Sequence, residues 1–336
     1  MKSFNRTIVL SLVFLWPFFS ISKYAISSEE SYKLVRRDKP FAVHFLDEKK
    51  GWIVGDRGLV LKTTDGAESW QRIDMITGGS FKDITFINKD GWIVGEEGLI
   101  LHTTDGGNNW RKQEANTEIF LMKVFFLDKS KGFVVGSEGT ILRTENGGAS
   151  WRQVPLDWIG LLPETLLERG TTTLNLYDIF FIDKVRGWAV GDFGTVIYTS
   201  DGGDNWEVLQ IGLFPHFFTV YFRNGLEGLA AGQNGLFLRT EDGGRHWKNV
   251  SMLTKESLYR IHISGDYGVI VGDHGSVFQS NNSGETWTKV NLNMNPPLPW
   301  FVDAFIIPSK SNGKVVFIGK GIIKNITIPS ASLQKN

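Results

Sequence analysis

The sequence predicts an all-β fold, a seven-bladed β-propeller whose blades are four-stranded antiparallel sheets with Asp-box turns. Two short motifs recur along nearly the whole chain, mostly about 40 residues apart, and repeats of this length built from short strands are typical of propellers. The composition agrees, because 38 glycines, 12 tryptophans and 24 phenylalanines among 336 residues suit many short strands joined by tight turns.

The first motif is a glycine, three apolar residues and a second glycine. A short apolar run between glycines suits a strand in the middle of a blade. The clear copies lie at 51–55, 91–95, 132–136, 187–191, 228–232 and 268–272, and a worn seventh copy lies at 315–319.

The second motif, (S/T)xDxGxxW, is the Asp box, and it follows each of the six clear copies of the first. Its Asp or Asn side chain should accept hydrogen bonds from the following backbone amides, and its glycine should supply the positive φ of the turn. The tryptophan should fold back over the hairpin. We therefore interpret the six copies as structural staples, formed by Asp65, Trp70, Asp105, Trp110, Asn146, Trp151, Asp201, Trp206, Asp242, Trp247, Asn282 and Trp287.

The second repeat shows how one copy forms four strands, named A to D here. Strand A is predicted at 82–88, B at 91–95, C at 98–103 and D at 109–113, with a tight hairpin turn between B and C and the Asp box between C and D. The seventh repeat lacks an Asp box. We expect the segment 32–35, which precedes the first strand A, to complete the seventh blade and close the ring without exposed sheet edges.

Outside the repeats, the N-terminus has the pattern of an export signal. Lys2 and Arg6 precede an apolar stretch at 8–19, which is shorter than the roughly 20 residues that span a bilayer. We predict a signal peptide or N-terminal membrane anchor at 1–27, the propeller at 31–329 and a tail at 330–336. The protein is then exported to a periplasmic or lumen-like compartment, either free or attached to a membrane through its N-terminal segment.

Composition excludes several classes of function. There is no cysteine, so disulfides, thiolate chemistry, Cys-ligated zinc and a lipid-modified cysteine are all ruled out. Lysine plus arginine equals aspartate plus glutamate at 36 each, which argues against a nucleic-acid partner. The six histidines show no ligand-like spacing, so we expect neither a metal nor a cofactor.

In a four-stranded blade the B–C turns and D–A loops share one face, which we call the variable face; the Asp boxes lie on the opposite, Asp-box face. The variable face carries what differs between repeats, including an insertion at 155–172, and loops of this kind are where function is added. Its side chains either pack on their own neighbours or bind a protein partner, and we expect a monomer with such a partner. The predicted partner-binding residues are Asp56, Arg57, Glu96, Glu97, Trp158, Leu161, Phe193, His216, Phe217, His274 and Trp300.

Strand A of each repeat should place one side chain at the mouth of the central channel. The aligned positions include three carboxylates and two cations, Asp83, Asp178, Asp303, Lys123 and Arg260. We interpret this mixed ring as self-compensating structure rather than a ligand site.

A glycosidase is the enzyme to consider, because sialidases also use Asp-box propellers. Such an enzyme needs a cluster of arginines and a Tyr–Glu nucleophile pair with an acid. The arginines here are scattered and no catalytic set emerges, so we predict a non-enzymatic binding protein. A carbohydrate-binding or sialidase-like propeller is the alternative.

The combination of Gly-Trp-x-Val-Gly and an Asp box in one repeat resembles the photosystem II stability and assembly factor family, the Asp-box propellers of plastids and cyanobacteria with relatives in other bacteria. The resemblance covers about residues 31–328. It implies a non-enzymatic, lumenal or periplasmic scaffold that binds a newly made reaction-centre subunit, with peripheral membrane association. The arginine-rich patch of photosynthetic members has no counterpart here, since Arg57, Arg143, Arg169 and Arg239 fall in separate blades. A non-photosynthetic relative with another exported or membrane client is the alternative.

Overall fold

The computed structural model describes residues 31–75, 77–250, 253–307, 309 and 312–329. Within these residues the chain forms seven antiparallel sheets, each built from consecutive strands, and this confirms the predicted seven-bladed propeller. The predicted signal or anchor at 1–27 and the tail at 330–336 lie outside the described residues. Among the described residues, neither short helix is long and apolar enough to cross a bilayer.

Each blade begins with strand A, nearest the channel; blades 1 to 6 end with strand D at the rim, and blade 7 has three strands. The strands of blades 1 to 3 are β1 (Pro40–Phe45), β2 (Gly51–Gly55), β3 (Val60–Thr63), β4 (Gln71–Arg72), β5 (Phe81–Ile87), β6 (Asp90–Gly95), β7 (Ile100–Thr103), β8 (Arg111–Gln113), β9 (Leu121–Phe126), β10 (Gly132–Gly136), β11 (Ile141–Thr144) and β12 (Arg152–Gln153). The insertion follows as α1 (Trp158–Leu161) and α2 (Glu164–Leu167). Blades 4 to 7 contain β13 (Leu176–Phe181), β14 (Gly187–Gly191), β15 (Val196–Thr199), β16 (Glu207–Gln210), β17 (Phe217–Phe222), β18 (Gly228–Gly232), β19 (Phe237–Thr240), β20 (Lys248–Asn249), β21 (Leu258–Ser264), β22 (Tyr267–Gly272), β23 (Val277–Ser280), β24 (Thr288–Lys289), β25 (Phe301–Ile307), β26 (Asn312–Gly319) and β27 (Ile322–Pro329).

The apolar residues of the second strands form the core between neighbouring blades. Trp92 of blade 2 is fully buried and stacks on Phe126 of blade 3, with ring centroids 3.5 Å apart. Its indole N–H donates to the carbonyl oxygen of Gly147 in the Asp box of blade 3 (3.1 Å). Trp188 of blade 4 stacks in the same way on Phe222 of blade 5, and its indole N–H donates to the carbonyl oxygen of Gly243 in the Asp box of that blade. Each of these tryptophans therefore joins its own blade to the Asp box of the next blade. This burial of large aromatic surface is the main stabilising contribution between blades.

The Asp boxes adopt the predicted geometry. In blade 2, Oδ1 of Asp105 accepts hydrogen bonds from the backbone N–H groups of Asn108 and Asn109, both at 2.9 Å. The hydroxyl of Thr103 donates to the same oxygen and accepts from the N–H of Gly107, whose φ is 81°. The box tryptophans are buried in blades 1 to 4 and half-buried in blades 5 and 6.

Replacing Asp105 by alanine should lower the free energy of unfolding by about 1–2 kcal/mol, because two backbone N–H groups and one hydroxyl lose their acceptor. Glu114→Ala, at an exposed position of the same blade, is the matched control and should change stability by less than about 0.5 kcal/mol. Urea unfolding followed by tryptophan fluorescence measures both. Equal stability of the two variants would show that the box is not a staple.

The ring does not close through the predicted N-terminal strand. Residues 32–35 form no strand, and the seventh sheet contains three strands, β25 to β27. Tyr32 instead donates its N–H to the carbonyl oxygen of Trp70 in blade 1 (2.6 Å), and Gly321 of blade 7 donates to the carbonyl oxygen of Asp38 (2.9 Å). Residues 32–38 therefore form hydrogen bonds with blades 1 and 7 without forming a strand.

The ring is closed by a carboxylate-to-backbone hydrogen bond between neighbouring blades, and the same bond occurs between other blades. The carboxylate of Asp303 in blade 7 accepts a hydrogen bond from the backbone N–H of Val43 in blade 1 (3.0 Å). Asp83 accepts in the same way from Val124 of the next blade, and Asp178 from Val220, both at 3.0 Å. Blades 7 and 1 thus meet as blades 2 and 3 do.

Candidate functional site

Backbone hydrogen bonds join the turns and loops of the variable face into one surface. In blade 1 the N–H of Asp56 donates to the carbonyl oxygen of Lys39, and that of Gly58 to the carbonyl oxygen of Gly79, both at 2.9 Å. The same bonds recur from Glu96 to Ser80, Gly98 to Ile119, Ser137 to Phe120, Asp192 to Asn175, Gln233 to His216, Asp273 to Ser257 and Gly275 to Pro299. Each of the six B–C turns is therefore fixed to the loop before it, and those of blades 1, 2 and 6 are also fixed to the loop after it, so the face is pre-organised around the channel mouth.

The B–C turns are two-residue hairpin turns with left-handed backbone at both central positions. In blade 1, Arg57 has φ 53° and Gly58 has φ 67°, and Leu59 closes the turn by donating to Asp56. A non-glycine residue holds the first central position in each of the six turns, namely Arg57, Glu97, Glu138, Phe193, Asn234 and His274. Keeping a side chain where glycine is easier costs stability, which fits a surface selected for what it displays.

The structure places the predicted partner-binding residues at different depths. Exposed residues are Arg57, Glu96, Glu97, Leu161, His274 and Trp300, the last with 51% of its surface accessible. Half-buried residues are Asp56, Phe193 and His216. Leu161 ends helix α1 of the insertion and the other eight lie in turns or loops of the variable face. The role of all nine in binding stays a prediction.

Trp158 and Phe217 are buried, so their expected exposure is wrong. Phe217 is fully inaccessible because the first residue of strand A points into the core of its blade. Trp158 packs with Leu162 and Leu166 in the core between blades 3 and 4, and its indole N–H donates to the carbonyl oxygen of Gly139 (3.1 Å). Neither side chain can contact a partner without leaving the core.

The insertion therefore has a structural side and an exposed side. Its buried side covers the core of blades 3 and 4, so removing 155–172 would uncover that core. Its exposed side presents Ile159, Leu161 and Leu167, and Leu213 of the following D–A loop is 73% exposed. Leu213 follows Gly212, which lies against Pro163 of the insertion.

Sequence reasoning missed a ring of side chains at the channel mouth. The second residue of each strand A is half-buried and points to the mouth, since a bulge follows the first residue in every blade. The ring consists of Phe41, Lys82, Met122, Tyr177, Phe218, Tyr259 and Val302. Tyr177, Phe218 and Tyr259 form what we call the aromatic arc, with neighbouring ring centroids 5.4 and 5.5 Å apart.

Carboxylates of the B–C turns hold the two tyrosines of the arc. The hydroxyl of Tyr177 donates to Asp192 (2.7 Å) and that of Tyr259 to Asp273 (3.0 Å). Burial, then the bonded carboxylate, raises the pKa of each tyrosine well above its usual value, so both stay protonated. Nδ1 of His216 lies 2.8 Å from Asp192. Burial also raises the pKa of Asp273.

Below the arc, the charged ring of the channel is internally paired, as predicted. Nζ of Lys123 lies 3.0 Å from Asp83, while the guanidinium of Arg260 lies 3.4 Å from Asp178 and 3.3 Å from Asp303. The cavity in the channel has a volume of about 240 Å³ and is lined by the charged ring, by aromatic rings and by His44 and His262. Since each carboxylate also accepts a backbone N–H, this ring holds the blades together.

Glu256, Asp273 and His274 bring three possible metal ligands within 4.8 Å of one another on the variable face. Nδ1 of His274 lies 2.9 Å from Glu256, and Asp273 accepts the hydrogen bond of Tyr259. His274 and Glu256 are thus an ion pair when the histidine is protonated, and Asp273 is a support for the arc.

Comparison with known proteins gives the family. A family model described as "Photosynthesis system II assembly factor YCF48" matches residues 22–120, 108–160, 165–256 and 210–306, most of the chain. The chain belongs to this YCF48 family. A curated relative, the photosystem II assembly lipoprotein Ycf48 of Prochlorococcus marinus strain NATL2A, is 33% identical over 86 residues, which are 24% of this chain. That match spans 25% of the relative's length.

Solved structures of the YCF48 family have the same fold. A structure titled "YCF48 bound to D1 peptide" has a TM-score of 0.69 and 18% identity, covering 89% of this chain and 96% of that one. YCF48 from Cyanidioschyzon merolae has a TM-score of 0.67 and 18% identity, covering 90% and 98%. An ancestral GH74 enzyme also matches, with a TM-score of 0.68, 14% identity and coverage of 88% and 46%. Identities this low show the fold alone.

Proposed function

We propose that this protein is a non-enzymatic scaffold that binds a segment of a membrane protein during assembly of photosystem II, using its variable face. The single observation that carries the proposal is membership of the YCF48 family over most of the chain. A pre-organised face with exposed apolar residues supports it, because such surfaces bind protein partners. We expect a monomer, with no cofactor.

The geometry of the channel argues against a sialidase-like glycosidase. Such an enzyme needs carboxylates that are free to act as nucleophile, acid or base. Asp83, Asp178 and Asp303 each accept a backbone N–H and lie beside Lys123 or Arg260. The oxygens of these carboxylates are therefore already engaged by groups of the protein itself. Their arrangement suits structure better than catalysis.

We also propose that the protein is exported and acts in a lumen-like or periplasmic compartment. The sequence pattern of residues 1–27 supports this location, either as a cleaved signal or as an anchor. Since there is no cysteine, attachment to a membrane would depend on that segment rather than on a lipid-modified cysteine.

The test is binding of a tiled set of 15-residue peptides covering the D1 protein, measured by fluorescence anisotropy with the exported form of the chain. At least one peptide should bind saturably. Leu161→Ser and Trp300→Ser, both exposed on the variable face, should weaken that binding by at least about fivefold. Asn205→Ala, an exposed control on the Asp-box face, should leave it unchanged.

Two results would contradict the proposal. Failure of every D1 peptide to bind would remove the photosystem II client, and capture of another membrane protein would then favour the non-photosynthetic alternative. Loss of binding in Asn205→Ala, with Leu161→Ser and Trp300→Ser unaffected, would place the site on the wrong face.

A further inference from the structure

On one side of the channel mouth a lysine of the chain lies over an aromatic ring, and on the other side the aromatic rings have no cation of the described residues over them. Nζ of Lys82 lies 4.6 Å from the ring centroid of Phe41, so the chain covers that aromatic ring with its own cation. On the far side, the aromatic arc of Tyr177, Phe218 and Tyr259 has no such cover. Among the described residues, the cations found over aromatic rings lie on other rings.

The loops around the arc carry a strong excess of negative charge. In the described residues of the B–C turns and D–A loops of blades 3 to 6, from 137 to 275, seven carboxylates accompany two permanent cations. The carboxylates are Glu138, Asp157, Glu164, Glu168, Asp192, Glu256 and Asp273, and the cations are Arg169 and Lys255. This imbalance contrasts with the whole chain, whose formal net charge is zero. A field of this sign attracts cationic segments and repels anionic ones.

The arc itself has the chemistry that holds a cation. The face of an aromatic ring is electronegative, and an ammonium or guanidinium group placed over it is attracted, more so when partly desolvated. The three rings are half-buried, and Asp192 and Asp273 lie directly behind the two tyrosines and polarise their hydroxyls. A lysine or arginine side chain entering the mouth would lie beside these three rings and close to the two carboxylates.

We infer that the aromatic arc is the binding site for a lysine or arginine side chain of the partner, presented by a basic segment that also contains apolar residues. The charge of the surrounding loops selects the basic segment, and the exposed Leu161, Leu167 and Leu213 of the same sector accept its apolar residues. This inference rests on the proposed function, because it assigns the chemistry of the partner at the variable face. A protein segment fits better than a membrane surface, since anionic headgroups would be repelled by these loops.

The probe is a fluorescein-labelled 12-residue peptide in which lysine alternates with leucine and glycine, compared with the same peptide carrying glutamine in place of lysine. Anisotropy at 150 mM salt should show the lysine peptide binding about tenfold more tightly. Phe218→Ala should weaken the lysine peptide about tenfold and leave the glutamine peptide unchanged. Phe218→Trp should retain full binding, since indole is the best of the aromatic rings for a cation.

The matched control is Phe41→Ala, which removes the ring already covered by Lys82 and should change affinity less than about twofold. Thermal unfolding of every variant checks that it is folded. If Phe218→Ala does not fold, Tyr259→Leu tests the same ring system, with the same expected tenfold loss.

Equal binding of the lysine and glutamine peptides would overturn the inference. So would unchanged binding in Phe218→Ala when a triple variant at Asp157, Glu164 and Glu168 abolishes it, because charge alone would then explain recognition. If the D1 peptides bind while the lysine peptide does not, the inference fails and the proposed function stands. If neither binds, both fail.

Discussion

Gly95→Ala should destabilise the propeller by about 3 kcal/mol, a large effect for the addition of one methyl group. A Cβ built on Gly95 lies 2.0 Å from the carbonyl oxygen of Ser80, at the bulge where strand A enters its blade. The three nearest atoms that this Cβ meets all belong to the backbone of Ser80 and Phe81, so no flexible side chain can move to relieve the overlap. The two strands would have to separate, breaking the joint between a B–C turn and its loop.

The same close approach recurs at the second glycine of every copy of the first motif. It explains why the motif ends in glycine in all seven blades, even in the worn copy, where a Cβ on Gly319 would lie 1.8 Å from the carbonyl oxygen of Trp300. Gly78→Ala is the control, because a Cβ there meets nothing within 4 Å. Urea unfolding should separate the two variants clearly. Similar stabilities of Gly95→Ala and Gly78→Ala would mean that the sheet accommodates the methyl group without loss. The second glycine of the motif would then not be required by packing.

The fold was predictable because its information is local and repeated. Each Asp box forms its own turn, and each apolar triplet forms its own central strand, so one repeat predicts the next. In blade 2 the predicted strands B and D, 91–95 and 109–113, differ from the observed β6 and β8 by no more than two residues at either end. Strand C begins two residues later than predicted, since Gly98 belongs to the turn.

The closure of the ring was not predictable in the same way. The segment 32–35 has the apolar alternation of a strand D, but whether it pairs depends on which blade its N–H groups reach. Tyr32 bonds to Trp70 of blade 1, and its hydroxyl is held by Asp38, so the segment turns early. The signal for closure lay instead in Asp303, whose position matches Asp83 and Asp178. Its carboxylate bonds the next blade as theirs do.

The candidate site shows the limit of sequence reasoning for a ring-shaped protein. Exposed residues such as Arg57 and His274 were found because turns are visible in the sequence. The aromatic arc was missed because its members lie in strands of three different blades and meet only when the ring closes. The one available signal was that Tyr177, Phe218 and Tyr259 occupy the same position of strand A, the second residue, which lies at the bulge.

Lowering the pH from 6.5 to 4.5 should cost the protein about 3 kcal/mol of stability, mainly through two histidines of the central channel. Burial, together with the nearby Lys123 and Arg260, lowers the pKa of His44 to about 3. Burial and Arg260 lower the pKa of His262 to about 4. Both rings lie against Phe305, with centroids 5.0 and 4.8 Å away, and the neutral form is the one that packs there.

The direction follows from proton binding. In the unfolded chain both histidines titrate near pH 6.5. Below that pH the unfolded state therefore binds protons that the folded state does not bind. Stability from this source is complete above about pH 6.5 and falls as the pH approaches 4. Asp83 and Asp273 act in the opposite direction, because burial raises the pKa of each, and they offset part of the effect of the histidines. The Asp-box carboxylates Asp201 and Asp242, with a pKa of about 2, lose their contribution only at lower pH.

Urea unfolding at pH 7.0, 6.0, 5.0 and 4.5 measures this slope, and the double variant His44→Gln, His262→Gln should flatten it over the whole range. Gly78→Ala is the control, since it changes no titratable group and its Cβ would meet nothing within 4 Å, so it should leave the slope unchanged. A wild-type slope that survives in the double variant would show that other groups cause the acid sensitivity. The channel would then be hydrated enough to admit charged histidines, and the paired ring above them would be a weaker joint between blades than its distances indicate.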